Sequence, residues 1–369
     1  MGRTLNVFIS AGETSGDRLG STLIADLQKL AHAEDERIEW RGMGGPAMRA
    51  YAATLFPTEQ AAAAGLAELL PRAASVLRAY RRLAALAGER RYEVAVLIDF
   101  PDFNLRLAPI LKRRGTPILY YGAPQLWAWR PGRVEALRRR IDRLAALFPF
   151  EAEWFSTRGI DTVFVGHPAA ALPWREKAAN GPPWRIGLWP GSRRHEVETI
   201  LPRQLAATRL LNTRSPGRFS FAIHVAPGCE APIAALQNRA ETSWPLADET
   251  TVDDMAWTAA GTAATELACR GAPFILTHAV HPLSFALARR LVSVRHLAMP
   301  NLMAGRTVAP ELVQGAFTPE ALARETLRLA DFPGLVKRQR ETWREVRRAL
   351  AAPPGAPSAA ELAWNLARP

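Results

Sequence analysis

The 369-residue chain has few cysteines, fewer acidic than basic side chains and no long apolar run. Two cysteines, Cys229 and Cys269, are too few for a disulfide framework and suit a reducing cytoplasm. The longest stretch without charge, residues 271–288, is interrupted by two histidines and two prolines, which argues against a transmembrane helix. The first residues lead directly into a predicted strand, so we expect no secretion signal.

Basic residues outnumber acidic ones by 47 to 35, which gives a formal net charge of +12. A positive surface attracts phosphates, so nucleic acid, anionic lipid and nucleotide sugars all remain open as partners. Most of the arginines fall in helical stretches, where a solvated face is the simpler interpretation. No His, Cys or acidic cluster has metal-ligand spacing, and we expect neither a metal nor another cofactor.

Apolar runs alternate with helical patterns along the chain, which predicts an α/β fold of repeated βαβ units with parallel sheets. The length exceeds what one hydrophobic core usually supports. We predict one domain at residues 1–172, a linker rich in Ala, Pro and Gly at 173–184, a second domain at 185–350 and a tail at 351–369.

The segment Val94–Ile98 is apolar and β-branched, as expected of a strand buried on both faces of a parallel sheet. Asp99 then falls at the carboxyl end of the strand, where open α/β folds bind their ligands. A carboxylate there can act as a general base. Asp102 is the second candidate base, and it could instead cap the following helix.

Two glycine turns open helices in the second half of the chain. Gly191 would let a phosphate approach the amides at the next helix N-terminus, and Arg193 could add a bidentate contact. The alternative is an ordinary turn with a surface arginine. Gly261 repeats the pattern, with Glu266 one turn inside the helix, where it could bind ligand hydroxyls or complement the helix dipole.

Seven motifs follow one another in an order that resembles the lipid-A-disaccharide synthase family. The resemblance implies the GT-B architecture, two Rossmann-like domains facing across a cleft, with the terminal helix packing back on the first domain. The motifs are residues 10–17 (SAGETSGD), 98–104 (IDFPDFN), 127–130 (WAWR), 147–150 (LFPF), 165–168 (VGHP), 190–193 (PGSR) and 300–306 (PNLMAGR).

The family reaction implies the substrates and a role for each motif. An inverting glycosyltransferase would join UDP-2,3-diacylglucosamine to 2,3-diacylglucosamine 1-phosphate, giving a β-1,6 disaccharide and UDP, with Asp99 as base and Glu266 on the ribose. The implied UDP-sugar residues are Gly191, Ser192, Arg193, Gly261, Thr262, Glu266, Asn301, Arg306 and Glu311. The implied cleft and acceptor residues are Gly12, Glu13, Ser15, Gly16, Asp17, Asn104, Trp127, Arg130 and His167.

An amphipathic stretch flanked by arginines fits an enzyme that meets anionic lipid at a membrane surface, and core packing is the competing explanation. Its apolar residues are Leu66, Leu69, Leu70, Val76 and Leu77. The resemblance implies a peripheral protein on the cytoplasmic face of the inner membrane of a Gram-negative bacterium. It implies no nucleic-acid partner, and the sequence allows a homodimer without requiring one.

Several positions depart from the family pattern on the donor side, at Ala260, His278 and Ala279. These changes keep two alternatives open. One is another GT-B enzyme of UDP-sugars, an epimerase or a transferase with a different acceptor. The other is a non-catalytic derivative that binds lipid or nucleic acid.

Overall fold

A computed structural model describes residues 2–58, 69–129, 131–175, 182–247, 251–280 and 294–368. The chain divides into two compact units, the first formed by residues 1–168 with 350–369 and the second by residues 169–349. Residues 176–181 of the predicted linker lie outside the described part of the chain. No described helix is both long enough and apolar enough to cross a bilayer.

The first unit contains a parallel sheet with the strand order β3-β2-β1-β4-β5-β6-β7. All residues of β4 and β5 are buried, as expected for central strands covered by helices on both faces. The strands are β1 (Thr4–Ala11), β2 (Arg37–Gly44), β3 (Phe56–Pro57), β4 (Val94–Ile98), β5 (Ile118–Tyr121), β6 (Arg143–Ala146) and β7 (Thr162–Phe164). The helices are α1 (Thr14–Ala33), α2 (Pro46–Arg49), α3 (Leu69–Glu89), α4 (Pro101–Arg113), α5 (Leu126–Trp129), α6 (Val134–Arg138) and α7 (Pro149–Ser156).

Hydrophobic clusters cover both faces of this sheet because successive side chains of a strand point to opposite sides. Leu97 of β4 packs in the cluster that contains Leu107 of α4. Its neighbours Val96 and Ile98 pack in the other cluster, with Leu23 of α1. The carboxyl end of β4 is therefore held from both sides.

The second unit repeats the design with the strand order β10-β9-β8-β11-β12-β13, again all parallel. The central strand β11 was not anticipated from the sequence, and its Trp257 is fully buried, donating to Thr326 Oγ1 at 3.0 Å. The strands are β8 (Trp184–Trp189), β9 (Phe219–His224), β10 (Leu246–Ala247), β11 (Met255–Thr258), β12 (Phe274–His278) and β13 (Glu311–Val313). The helices are α8 (Arg194–Arg214), α9 (Glu230–Arg239), α10 (Thr262–Cys269), α11 (Met299–Ala304), α12 (Pro319–Asp331) and α13 (Pro333–Leu350).

The last helix, α14 (Ala359–Leu366), belongs to the first unit. Ser358 and Glu361 form a capping box at its start, which satisfies two backbone amides. Leu362 and Ala363 are buried in the cluster that also contains Val96 and Ile98. The core of the first unit therefore includes residues from both ends of the chain.

Candidate active site

The turn after β4 holds Asp99 in an uncommon backbone conformation. Asp99 has φ 44° and Phe100 has φ 50°, both in the left-handed region that residues other than glycine rarely adopt. Such strain persists only where the surroundings enforce it, and it concentrates at functional sites. The Asp99 carbonyl accepts hydrogen bonds from Tyr120 Oη at 2.7 Å and Asn104 Nδ2 at 2.8 Å, which fix the turn.

Asn104 is fully buried and ties the ends of β1 and β4 together. Its Oδ1 accepts from Ser10 Oγ at 2.8 Å, and its Nδ2 also lies 3.0 Å from the Ile98 carbonyl and 3.3 Å from that of Ser10. Tyr120 was not singled out from the sequence, although a tyrosine pair in a buried strand is an unusual signal. Burial raises the pKa of Tyr120 well above its usual value, so its hydroxyl remains a donor.

The two candidate bases differ in their surroundings. Asp99 is half-buried at the strand end, beside the fully buried Tyr120. Asp102 is exposed in the first turn of α4 and accepts from Arg133 Nη1 at 3.0 Å, an ion pair in which both side chains are about half exposed or more. The more sheltered carboxylate is that of Asp99.

The loop at residues 10–17 lies against the Asp99 turn. A Cβ atom at Gly12 would lie 2.2 Å from the Phe100 ring, so the close approach requires glycine. Asp17 is buried, and its carboxylate accepts from the amides of Ala47 and Met48 at 2.9 and 3.0 Å, which stabilises the start of α2. Gly16 is also buried, whereas Glu13 and Ser15 are half-buried.

The remaining predicted residues of the first unit lie near the ends of β5, β6 and β7. Trp127 Nε1 donates to Glu151 Oε1 at 3.1 Å, and the His167 ring contacts Phe148 with centroids 5.1 Å apart. Burial raises the pKa of Glu151 to about 8 and lowers that of His167 to about 4, so both are uncharged at neutral pH. Arg130 lies outside the described residues.

The glycine turn before α8 is occupied by a carboxylate from its own helix. Gly191 has φ 115°, and the amides of Ser192 and Arg193 donate to Glu196 Oε2 at 3.0 and 3.2 Å. Arg193 Nη1 donates to the other oxygen of Glu196 at 3.3 Å. The amides at this helix N-terminus thus bind an anion in the structure, and that anion is Glu196.

The other glycine turn and the segment near α11 lie in the same unit. Gly261 has φ 141° at the start of α10, Thr262 is exposed and Glu266 is half-buried. Asn301 is fully buried and donates to Glu311 Oε1 at 2.8 Å.

Glu311 also accepts from the amides of Leu297 and Ala298, so its contacts organise the entry to α11. Arg306 is exposed, with Nη2 lying 3.4 Å from Thr342 Oγ1. In the described part of the chain, no group of three or more His, Cys, Asp or Glu side chains could hold a metal ion.

The predicted membrane stretch is described only in part. Leu66 lies outside the described residues, and Leu69 and Leu70 begin α3. Val76 is half-buried, whereas Leu77 is 46% exposed beside the exposed Arg78.

Two units of parallel sheet with glycine turns before their helices are the architecture of the GT-B class, to which glycosyltransferases and nucleotide-sugar epimerases belong. Solved structures of this class match along nearly the whole chain. The glycosyltransferase of kitacinnamycin matches with a TM-score of 0.58 at 16% identity, covering 99% of both chains. The UDP-GlcNAc 2-epimerase from Neisseria meningitidis matches with a TM-score of 0.59 at 10% identity, covering 94% of this chain and 99% of the other. At these identities the likeness shows the fold alone.

Sequence comparison is more specific. The family model described as lipid-A-disaccharide synthetase matches residues 7–351. The lipid-A-disaccharide synthase of Trichlorobacter lovleyi is 37% identical over 351 residues, covering 89% of each chain. That of Rhodospirillum centenum is 36% identical over 391 residues, covering 99% of this chain and 95% of the other. The chain belongs to the lipid-A-disaccharide synthase family, whose members are glycosyltransferases of lipid A biosynthesis.

Proposed function

We propose that the protein is an inverting glycosyltransferase that moves 2,3-diacylglucosamine from UDP to the 6-hydroxyl of 2,3-diacylglucosamine 1-phosphate. The products are the β-1,6-linked disaccharide 1-phosphate and UDP. Family membership supports the reaction. The observation that carries the catalytic assignment is the Asp99 turn, a strained and doubly hydrogen-bonded backbone that fixes a sheltered carboxylate.

In this mechanism Asp99 accepts the proton of the 6-hydroxyl as its oxygen attacks the anomeric carbon of the donor. The new carbon–oxygen bond forms while the bond to the diphosphate breaks, and the electron pair leaves with UDP. A positioned base of this kind contributes roughly 10² to 10⁴ in rate. Asp102 is the weaker candidate because it is exposed and paired with Arg133.

The donor diphosphate would bind at the amides of Ser192 and Arg193, with the Arg193 guanidinium as a second contact. The support for this assignment is that these amides already bind the carboxylate of Glu196. UDP would replace that carboxylate and gain the partial positive charge of the α8 N-terminus. Glu266 would accept from the ribose hydroxyls beside Gly261 and Thr262.

The segment at α11 would complete the donor side. Asn301 and Glu311 organise its backbone through hydrogen bonds, and the exposed Arg306 would meet the donor.

The lipid substrates would be reached from a membrane surface. Leu77, Arg78 and Arg81 are exposed on α3, while Ala79 and Leu83 of the same helix are buried in the core. An apolar side chain among cations suits contact with anionic lipid. We propose peripheral attachment at the cytoplasmic face of the inner membrane.

The test is a metal-free assay that follows UDP and disaccharide with both lipid substrates and purified protein. The wild type should form disaccharide, and Asp99→Asn should reduce kcat by about a hundredfold or more without altering the melting temperature. Asp102→Asn is the matched control and should retain most of the activity. Near-normal turnover by Asp99→Asn would remove Asp99 from the role of base, whereas UDP release without disaccharide from the wild type would indicate another GT-B reaction.

A further inference from the structure

Glu151 is a buried carboxyl group at the start of α7 that is only partly hydrogen-bonded. The residue is 2% exposed, and its Oε1 accepts from Trp127 Nε1 at 3.1 Å. Within the described residues, its other oxygen, Oε2, has no hydrogen-bond partner. Buried polar atoms are nearly always paired in native structures, so an unpaired one calls for a physical or functional reason.

The position of Glu151 links it to the Asp99 turn. The amide of Asp99 donates to the Tyr121 carbonyl at 2.9 Å, and a Cβ atom at Gly122 would lie 3.9 Å from Asp99 Cβ and 3.7 Å from Leu147 Cδ1. The ends of β4, β5 and β6 therefore lie side by side, and α7 begins two residues after Leu147. Glu151 lies in the first turn of this helix.

The surroundings keep Glu151 protonated at neutral pH. Burial raises its pKa to about 8 against the opposing effects of the Trp127 indole and of the backbone at Phe148 and Leu147, and the negative charge of Asp99 adds to the rise. His167, which follows β7, is uncharged at neutral pH because burial lowers its pKa to about 4. Arg143 and Asp161, at the starts of β6 and β7, pair with each other at 2.6 Å.

We propose that Glu151 is a positioning residue for sugar transfer, which as an uncharged acid fixes the Trp127 indole and keeps a second negative charge away from Asp99. The proposal rests on the proposed function, in which Asp99 is the base. Ionisation would place a negative charge on a side chain that is 2% exposed, which is costly. Its charge would also oppose the binding of a phosphorylated acceptor beside Asp99.

The experiment measures kcat and KM from about pH 6 to about pH 9.5 for the wild type, Glu151→Gln and Glu151→Leu. The wild type should lose kcat above about pH 8 as Glu151 ionises. Glu151→Gln keeps an acceptor for Trp127 and cannot ionise, so it should retain the neutral-pH kcat within about twofold and lack this loss. Glu151→Leu should have a kcat about tenfold below that of Glu151→Gln at every pH, because the indole has no acceptor and neither side chain can ionise. Glu153→Gln, at an exposed acid of the same helix, should follow the wild type.

Melting temperature against pH gives a readout without substrate. The native protein holds the Glu151 proton up to about pH 8 while the unfolded chain releases it near the usual value of 4.5, so the wild type should lose stability as pH rises between these values. Glu151→Gln should lack this decline. A kcat loss above about pH 8 that Glu151→Gln shares with the wild type overturns the positioning role alone. Failure of the wild type to make disaccharide at any pH refutes the proposed function and the role with it.

Discussion

Replacing Asn104 with alanine tests whether one buried amide holds the strained turn of the first unit. The change removes an acceptor for Ser10 Oγ and a donor shared by the carbonyls of Ser10, Ile98 and Asp99. Each buried hydrogen bond contributes roughly 1 kcal/mol net, and a group left unpaired costs roughly 1–3 kcal/mol. We expect the free energy of unfolding of this unit to fall by about 4 kcal/mol.

Urea unfolding combined with amide hydrogen exchange locates this loss. Peptides covering β1 and β4 should exchange faster in Asn104→Ala, and peptides of the second unit should not change. Ser10→Ala removes one of the hydrogen bonds and should cost about 1–2 kcal/mol. Asn238→Ala, at an exposed position of α9, is the control and should not lower the free energy of unfolding, since alanine favours a helix more than asparagine does. A loss below about 1 kcal/mol in Asn104→Ala would show that the turn is held by other contacts.

Three further outcomes follow from the site. Tyr120→Phe keeps the ring but removes a donor to the Asp99 carbonyl, so the free energy of unfolding should fall by about 1 kcal/mol and kcat should also fall. An unchanged kcat would show that this hydrogen bond is not needed for catalysis. Glu196→Gln replaces the charged acceptor of the turn amides with a neutral one, so UDP should compete more easily and its Kd should fall several-fold in calorimetry. Weaker binding would contradict the proposed diphosphate site. The pKa of His167 is lowered to about 4, so the native protein should lose stability as pH falls from about 6.5 towards 4. His167→Gln should lack that loss, unlike the exposed control His32→Gln.

The alternation of apolar runs and helical patterns was enough to predict two parallel-sheet domains. Strands such as β4 are recognisable because both faces are buried and the sequence is therefore continuously apolar. The strand β11 was missed because its four residues directly follow two acids, and a run so short has no distinctive period. Its place at the centre of the second sheet depends on pairing with β8 and β12, which are distant in sequence.

The position of the candidate base could be predicted from the sequence, whereas the hydrogen bonds that fix its backbone could not. Asp99 follows a recognisable strand, so its position at the sheet edge could be inferred. The left-handed turn arises from contacts of Asn104 and Tyr120 that only the folded chain brings together. The amides at Gly191 were expected to face a phosphate, and local sequence did not indicate that Glu196 would accept from them. Whether the Glu196 carboxylate reaches these amides depends on the geometry of the first turn of α8.

The burial of α14 in the first unit has a consequence for synthesis on the ribosome. Leu362 and Ala363 complete a core that otherwise consists of residues emerging much earlier, such as Leu23 and Val96. At roughly 5–20 residues per second, the apolar face that receives α14 waits on the order of ten seconds or more while the second unit is translated. During that interval the nascent first unit exposes an apolar surface that can aggregate. Its yield in the cell should therefore depend on chaperone capacity and on translation speed through the intervening segment.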